Sequence, residues 1–259
     1  MNVLEKLQKF YNDYPYKKGV IGKTERGKDI YYFLVEKSSY PTLICQYSIH
    51  AREYITTYLA FLQIKEFIKS GKVGRVYFIP MVNVDGVGIC LNGKPLYKAN
   101  ARGVDLNVNF NARWGTGKQN KRTRGDQNYI GAYPFSESET KALRDFTLSV
   151  KPDMTLSYHS KGEEIYYEFF QDKERKKSDY RLAKIVADKT GYAVKGTPDS
   201  AGGYKDWCIE KLLIPSLTIE VGSDKLSHPI GERHASSIFK KNKGVLALLT
   251  KEFLEKNNE

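Results

Sequence analysis

The sequence predicts an α/β domain in which a mainly parallel or mixed sheet is covered by helices on both faces. Three observations carry this expectation. Nearly continuous apolar runs at residues 42–49 (TLICQYSI), 76–82 and 216–221 (SLTIEV) have the composition of strands buried on both sides. Residues 54–69 place Phe61, Ile64 and Ile68 at helical spacing, and comparable segments recur later in the chain. The two kinds of segment alternate, which is the order of βαβ units rather than of a sandwich or a bundle.

In chain order, residues 3–11 carry Leu4, Leu7, Phe10 and Tyr11 at amphipathic spacing and predict a short helix, and 29–36 alternate apolar positions as a strand does. The strand at 42–49 runs at once into the helix at 54–69, so a strand-to-helix junction falls on residues 50–53. A buried strand is expected at 76–82, a helix at 137–149 with Ser136 as its N-cap, and a further strand at 154–158. Helices are expected at 178–190 and 204–213, a strand at 216–221, and one long terminal helix over 232–255. Residues 85–133 are rich in Gly, Asn and Arg and show little periodicity. A stretch of that length without elements in a compact domain is usually functional.

The 259 residues fit a single domain, 1–259, and nothing in the length requires two. Hydrophobic residues at 41% and charged residues at 28% exclude a disordered or collagen-like chain and predict a soluble protein. The first fifteen residues mix charged and apolar types, without the apolar core and small-residue cleavage site of a signal peptide. No apolar run approaches the roughly 18 to 20 residues that cross a bilayer, so a cytoplasmic location without membrane insertion is expected. Cys45, Cys90 and Cys208 are scattered and odd in number, which fits thiols in a reducing compartment and gives them no functional role. The net charge of +12 fits either an anionic partner, such as a wall polymer or an acidic substrate, or a solvated basic surface. The basic clusters 118–124 and 173–177 have no interleaved aromatic residues, so nucleic acid is not expected as a partner. The sequence leaves the oligomeric state open.

The chemistry concentrates at the predicted junction, in Ser48-Ile49-His50-Ala51-Arg52-Glu53. Ligands of such sheets bind beyond the carboxyl ends of the strands, and His and Glu two residues apart can both reach one Zn²⁺ at about 2.0 to 2.2 Å. A lone His-x-x-Glu is common on surfaces, but His159 ends the apolar strand at 154–158 in an equivalent place. Three protein ligands with a position left for water make a catalytic rather than a structural zinc site. His228, in a polar loop, and His234, at a helix start, are read as non-ligands. Such a site also needs a carboxylate to move protons, and Glu220 lies inside the apolar strand 216–221, where burial of a carboxylate requires a task or an ionic partner.

Four blocks in this order resemble the zinc carboxypeptidases, over nearly the whole chain: His50-Ala51-Arg52-Glu53, Gly103-Val104-Asp105-Leu106-Asn107, His159-Ser160, and Ala201-Gly202-Gly203-Tyr204-Lys205-Asp206-Trp207 followed by Thr218-Ile219-Glu220. The resemblance implies a three-layer α/β/α fold with a mixed, mostly parallel sheet of about eight strands and one zinc ion per chain in a funnel at the strand ends. It also implies roles. His50, Glu53 and His159 hold the metal, Glu220 is the catalytic carboxylate, and Asp105 orients a zinc-binding imidazole, that of His50. Arg52 falls among the substrate contacts on the acyl side, with Asn107, Tyr204 and Lys205 as further substrate-binding positions. Lys98 stands where many members place the arginine that stabilises the oxyanion, with Arg102 in reserve.

The pattern breaks in two places. Ordinary members read Asn-Arg where this chain reads Asn107-Val108, and that arginine clamps the free C-terminal carboxylate of the substrate. The tyrosine usually carried just before the Gly-Gly pair is also missing, with Thr197, Pro198 and Asp199 in its stretch. Lys205 falls where the family sets the specificity for the leaving residue, and a cation there favours an acidic group. A lost clamp with a gained cation is similar to the bacterial branch that cuts γ-D-glutamyl bonds to diaminopimelate. The sequence is therefore read as a zinc-dependent peptidase of peptidoglycan-derived peptides. A carboxypeptidase acting on C-terminal, even acidic, residues of ordinary peptides is the alternative, and a non-catalytic wall-binding protein is a third class that an intact Glu220 disfavours.

Overall fold

The computed structural model describes residues 1–70, 73–125, 127–196 and 199–256. Eight strands share one sheet: β1 (Lys18–Lys23), β2 (Asp29–Glu36), β3 (Thr42–Tyr47), β4 (Arg75–Ile79), β5 (Met154–His159), β6 (Glu164–Tyr166), β7 (Ala193–Lys195) and β8 (Ser216–Glu220). Their spatial order is β1-β2-β4-β3-β5-β8-β6-β7. The central strands β4, β3, β5 and β8 are mutually parallel, and antiparallel pairings occur only outside them, between β1 and β2, β2 and β4, and β6 and β8. The sheet is thus mixed and mostly parallel at its centre. All side chains of β3 and β5 are buried, which is why β3 reads as a nearly continuous apolar run, while β5 alternates apolar residues with buried polar ones.

Alternation along the strands divides the interior into two cores. Leu43, Cys45, Tyr47, Leu156, Tyr158, Leu217 and Ile219 face one side, where α1 (Val3–Asp13), α2 (Ile55–Lys69), α5 (Lys173–Thr190), α7 (Ala235–Asn242) and α8 (Val245–Lys256) pack. Ile44 and Ile79 face the other, against α4 (Ser138–Val150) and α6 (Tyr204–Lys211). This second face is unusually polar at its centre, since Gln46, Thr155, Ser157 and Ser216 are buried on it and Thr155 and Ser216 hydrogen-bond through their hydroxyls at 2.6 Å. The polar rows on β5 and β8 end in His159 and Glu220, which are partners in register. No helix among the described residues is long and apolar enough to cross a membrane.

Several elements differ from the sequence-based expectation. Residues 85–133 are not wholly irregular: α3 (Val84–Leu91) forms at their start because Asn83 caps it, its side chain accepting from the Gly86 N–H at 3.0 Å. Two glycines within α3 mask its helical signal, and Gly86 is required there because an added Cβ would lie 2.5 Å from the Ala99 carbonyl oxygen. Ser136 is not the cap of α4. Its hydroxyl donates to Glu137, and the Ser138 N–H is met instead by the Glu25 carboxylate at 2.7 Å, a partner distant in sequence. The terminal helix is broken between α7 and α8, where Gly244 has φ +84°. β1, β6 and β7 are edge or short strands with partial burial, and α5 begins earlier than expected because Asp172 caps it.

The loop after α3 is tied to α4 by Asn100, whose side-chain amide donates to Glu137 at 2.9 Å and to Glu139 at 3.2 Å. Burial pushes the Glu139 carboxyl up from 4.5 to about 7, against the pull of its hydrogen bonds. A raised folded-state pKa means that the neutral acid stabilises the fold fully below about 4.5 and that this contribution is lost as pH rises through about 7. Relative to Glu139→Gln, the wild-type protein is therefore expected to lose stability between pH 5 and 8, by at most about 3 kcal/mol. Urea unfolding of both proteins across that range checks this, and a constant difference between them would refute it.

Candidate active site

Three strand ends build the site. After β3 the backbone turns sharply, with Ser48 at φ +48°. The turn is held by the Ser48 N–H donating to the Thr56 hydroxyl at 2.9 Å and by the Ser48 and Thr57 hydroxyls at 2.8 Å. A 3-10 turn at Ala51–Glu53 then brings the side chains of His50 and Glu53 to one side. The turn is anchored from outside by the Ala51 N–H to the Lys98 carbonyl at 3.0 Å and by the Asn83 amide to the Ile49 carbonyl at 3.1 Å. β5 delivers His159 and β8 delivers Glu220.

His50, Glu53 and His159 converge, all buried, with ligand atoms within 4.8 Å of one another. His50 Nδ1 lies 2.9 Å from Glu53 Oε1, and His159 Nδ1 lies 3.1 Å from both His50 Nδ1 and Glu53 Oε2. His50 Nε2 faces Asp105 Oδ1 at 3.1 Å. Donating its proton there leaves the Nδ1 lone pair of His50 pointing at the other two ligands. Two ring nitrogens and a carboxylate crowded on one point, with a cleft beside them, are a donor set that fits a cation better than mutual hydrogen bonds. Two nitrogens and one carboxylate with an open position suit catalytic zinc. The cluster is a site for one zinc ion.

Asp105 is fully buried and links two functions: Oδ1 receives His50, and Oδ2 receives Lys98 Nζ at 2.8 Å and the Asn128 N–H at 3.2 Å. Burial alone would raise its carboxyl, but Lys98 and then His50 reverse this and hold it well below the usual carboxylate range. Lys98 lines the cleft with its charge kept by that pairing. Glu220 is only partly exposed, and burial pushes its carboxyl up to about 8 against the opposing pull of His159, with Glu53 adding to the rise.

Beside the metal cluster lies a cleft of about 540 Å³ lined by His50, Lys98, Asn107, Val108, Lys118 and Asn128 together with Tyr166 and residues 199–200. Its wall is made by two chain segments clasped together: the Phe110 N–H donates to the Gly202 carbonyl and the Gly202 N–H to the Ala112 carbonyl, both at 2.9 Å. Gly202 sits at φ +85°, and a Cβ there would lie 2.8 Å from the Val108 carbonyl oxygen.

The structure separates the other residues named from sequence. Asn107 lines the cleft, while its side-chain oxygen accepts from the Tyr204 N–H at 3.2 Å. Tyr204 itself is a core residue, fully buried with its hydroxyl 2.8 Å from Thr147. Lys205 is also buried, pairing with Asp206 at 2.6 Å and donating to the Glu168 carbonyl at 2.9 Å, and it is not among the residues that line the cleft. Arg102 points away from the metal cluster to Glu25 and Glu137, each at 3.6 Å. Arg52 is half-buried beside His50, and its Nε has no hydrogen-bond partner. Thr197 and Pro198 lie outside the described residues. Lys118, Asn128 and Tyr166 were not singled out from sequence as site residues. The basic run containing Lys118 was the one available signal.

The chain matches the family model for zinc carboxypeptidase over residues 2–231. Among curated proteins it is 31% identical to gamma-D-glutamyl-L-diamino acid endopeptidase 1 of Lysinibacillus sphaericus over 269 aligned positions, covering 90% of this chain and 66% of that one. It is 26% identical to carboxypeptidase B of Bos taurus, covering 79% of this chain and 57% of the relative. The chain thus spans about two thirds or less of the length of these curated relatives. Among solved structures, bovine thrombin-activatable fibrinolysis inhibitor, in complex with tick carboxypeptidase inhibitor, superposes with a TM-score of 0.87 at 20% identity, covering 99% of this chain and 98% of that one. Murein-tripeptide amidase MpaA of Escherichia coli O157 superposes with a TM-score of 0.66 at 21% identity, covering 90% and 92%. At these identities the superpositions bear on the fold alone, and they share the three-layer α/β/α architecture described above.

Proposed function

Because this chain belongs to the zinc carboxypeptidase family, we propose that it is a zinc-dependent peptidase that releases the C-terminal residue of peptides by hydrolysis. The observation that carries the proposal is the pairing of His159 and Glu220 at the ends of adjacent parallel strands. This sets a proton-accepting carboxyl beside a buried two-nitrogen, one-carboxylate metal site at the head of an open cleft. Zinc held by His50, Glu53 and His159 would supply Lewis-acid chemistry, lowering the pKa of a bound water and polarising the scissile carbonyl. Glu220 accepts a proton as water attacks the carbonyl carbon, and returns it to the leaving nitrogen as the C–N bond breaks. One water is consumed, and a carboxylic acid and an amine are released. Lys98 provides positive charge on the cleft side where the oxyanion develops, and Asp105 keeps both Lys98 and His50 in place.

A second reading, the one that the sequence puts first, is hydrolysis of the γ-D-glutamyl bond to diaminopimelate in peptidoglycan peptides. Val108 favours it, since valine cannot clamp a terminal carboxylate, and so does the likeness to the Lysinibacillus endopeptidase. It stands second because Lys205, the cation assigned to the second carboxylate of diaminopimelate, is already paired with Asp206. Mass spectrometry of the products from an ordinary peptide, a wall tripeptide and a wall tetrapeptide, each incubated with the zinc-loaded protein, separates the two. Loss of single C-terminal residues from the ordinary peptide is the expected result. Cleavage confined to the wall peptides would move the second reading to first place, and no cleavage of any of them would refute both.

A further inference from the structure

We propose that Lys118 is the residue that binds the carboxylate of the substrate's leaving residue, the task for which Val108 has no suitable chemistry. The assignment rests on the peptidase reading above and names the group that gives it specificity. Two lysines line the cleft among the described residues, Lys98 and Lys118, and they differ in what they are free to do. Lys98 is 17% exposed and committed to Asp105 at 2.8 Å. Lys118 is 77% exposed, and among the described residues the carboxylate it pairs with, Asp199, is 3.7 Å away, beyond hydrogen-bonding distance and itself 65% exposed. A substrate carboxylate that reaches Lys118 displaces only a loose, solvated pairing, which contributes little by itself. At Lys205, by contrast, it would have to displace a short ion pair in a buried setting.

The backbone under Lys118 is held even though its side chain is open. Its N–H donates to the Asp199 carbonyl at 3.0 Å, which ties this loop to the segment that leads into Gly202 and the wall against Val108. Downstream, the Lys121 N–H donates to the Asn128 carbonyl at 2.8 Å and the Ile130 N–H to the Lys121 carbonyl at 3.1 Å, while Trp114 Nε1 donates to the Ile130 carbonyl at 3.0 Å. A flexible ammonium on a fixed loop suits recognition of a carboxylate as a point charge, without the bidentate geometry of an arginine. Gln119, Asn120 and Asn107 line the same cleft and offer neutral hydrogen-bonding groups around that charge. The exposed Lys121, Arg122 and Arg124 beside it extend a positive field that draws anionic peptides toward the mouth. The basic run at 118–124 is thereby a substrate-facing feature and not only a solvated surface.

The test uses the full-length, zinc-loaded protein and two peptides that differ only at the main-chain carboxyl of the last residue, free acid in one and primary amide in the other. Binding is measured by calorimetry in a Glu220→Gln background so that neither peptide is consumed, and turnover is measured with Glu220 intact. Binding of the acid is expected to exceed that of the amide by roughly 2- to 5-fold, the value of a solvent-exposed ion pair. Lys118→Ala should abolish that preference and Lys118→Arg should restore it. In turnover, Lys118→Ala should raise KM for the acid with little change in kcat. An exposed side chain is replaced, so unchanged far-UV and near-UV circular dichroism is expected to accompany the loss. An acid preference that survives Lys118→Ala, or that is absent from the parent, overturns the assignment. If neither peptide is turned over but the Lys118-dependent preference in binding is present, the peptidase reading fails while the assignment of Lys118 stands.

Discussion

Glu220→Gln is expected to retain one zinc per chain and to lose kcat by roughly 10²- to 10⁴-fold, the range for removal of a general acid–base group. Glutamine keeps the volume of glutamate, so the residue still fits at the end of β8, where the strand is otherwise buried. It cannot take up the proton of the attacking water. The loss should therefore appear in kcat, with KM little changed, because the group acts on the reacting atoms and not on substrate binding. The substitution also removes a carboxyl that burial disfavours as an anion, so thermal stability should hold or rise slightly. Steady-state kinetics, metal analysis and a thermal melt on the same preparation check these expectations. Near wild-type turnover in Glu220→Gln would place proton transfer on another residue.

His159→Ala is expected to abolish zinc retention through dialysis and with it all measurable activity. Two protein ligands remain, fewer than the three that define a catalytic zinc site. The imidazole that is lost also lies 3.1 Å from Glu53, so the variant leaves a buried carboxylate whose remaining partners are His50 and the Ser160 N–H. Because zinc binds the folded state and not the unfolded chain, added zinc should raise the melting temperature of the wild-type protein and have little effect on the variant. Metal content by plasma mass spectrometry and melting curves with and without zinc provide the readouts. Full zinc occupancy in His159→Ala would refute the ligand set.

Much of this architecture is legible from composition and order. The strands β3, β5 and β8 are covered on both faces, so their sequences are rich in apolar residues, and His50, His159 and Glu220 stand at or just beyond their ends. The sequence alone therefore located the strand-to-helix junction that carries His50 and Glu53, the end of β5 that carries His159, and the out-of-place carboxylate Glu220. Each of these is a local contrast, a charged or metal-binding residue against an apolar run, and local contrasts survive in one dimension.

What the sequence could not supply was the pairing of charges across the fold. Lys205 reads as a free cation in a specificity pocket, but Asp206 and the Glu168 carbonyl claim it, and Arg102 is claimed by Glu25 and Glu137. The cap of α4 comes from Glu25, more than a hundred residues earlier, and Asn83, which caps α3, is oriented by the Ile49 and Ala99 carbonyls. The physical reason is common to all of these. Burial and hydrogen bonding decide whether a polar side chain is a partner within the fold or remains available to a substrate, and both depend on neighbours distant in sequence. By itself the sequence determined the central strands of the sheet and the positions of the three metal ligands, because they follow from hydrophobic order along the chain, whereas the short, partly exposed strands β1, β6 and β7 carry no such signal. Only the tertiary structure decided which cations remain open to the cleft, leaving Lys118 loosely paired and Lys205 enclosed.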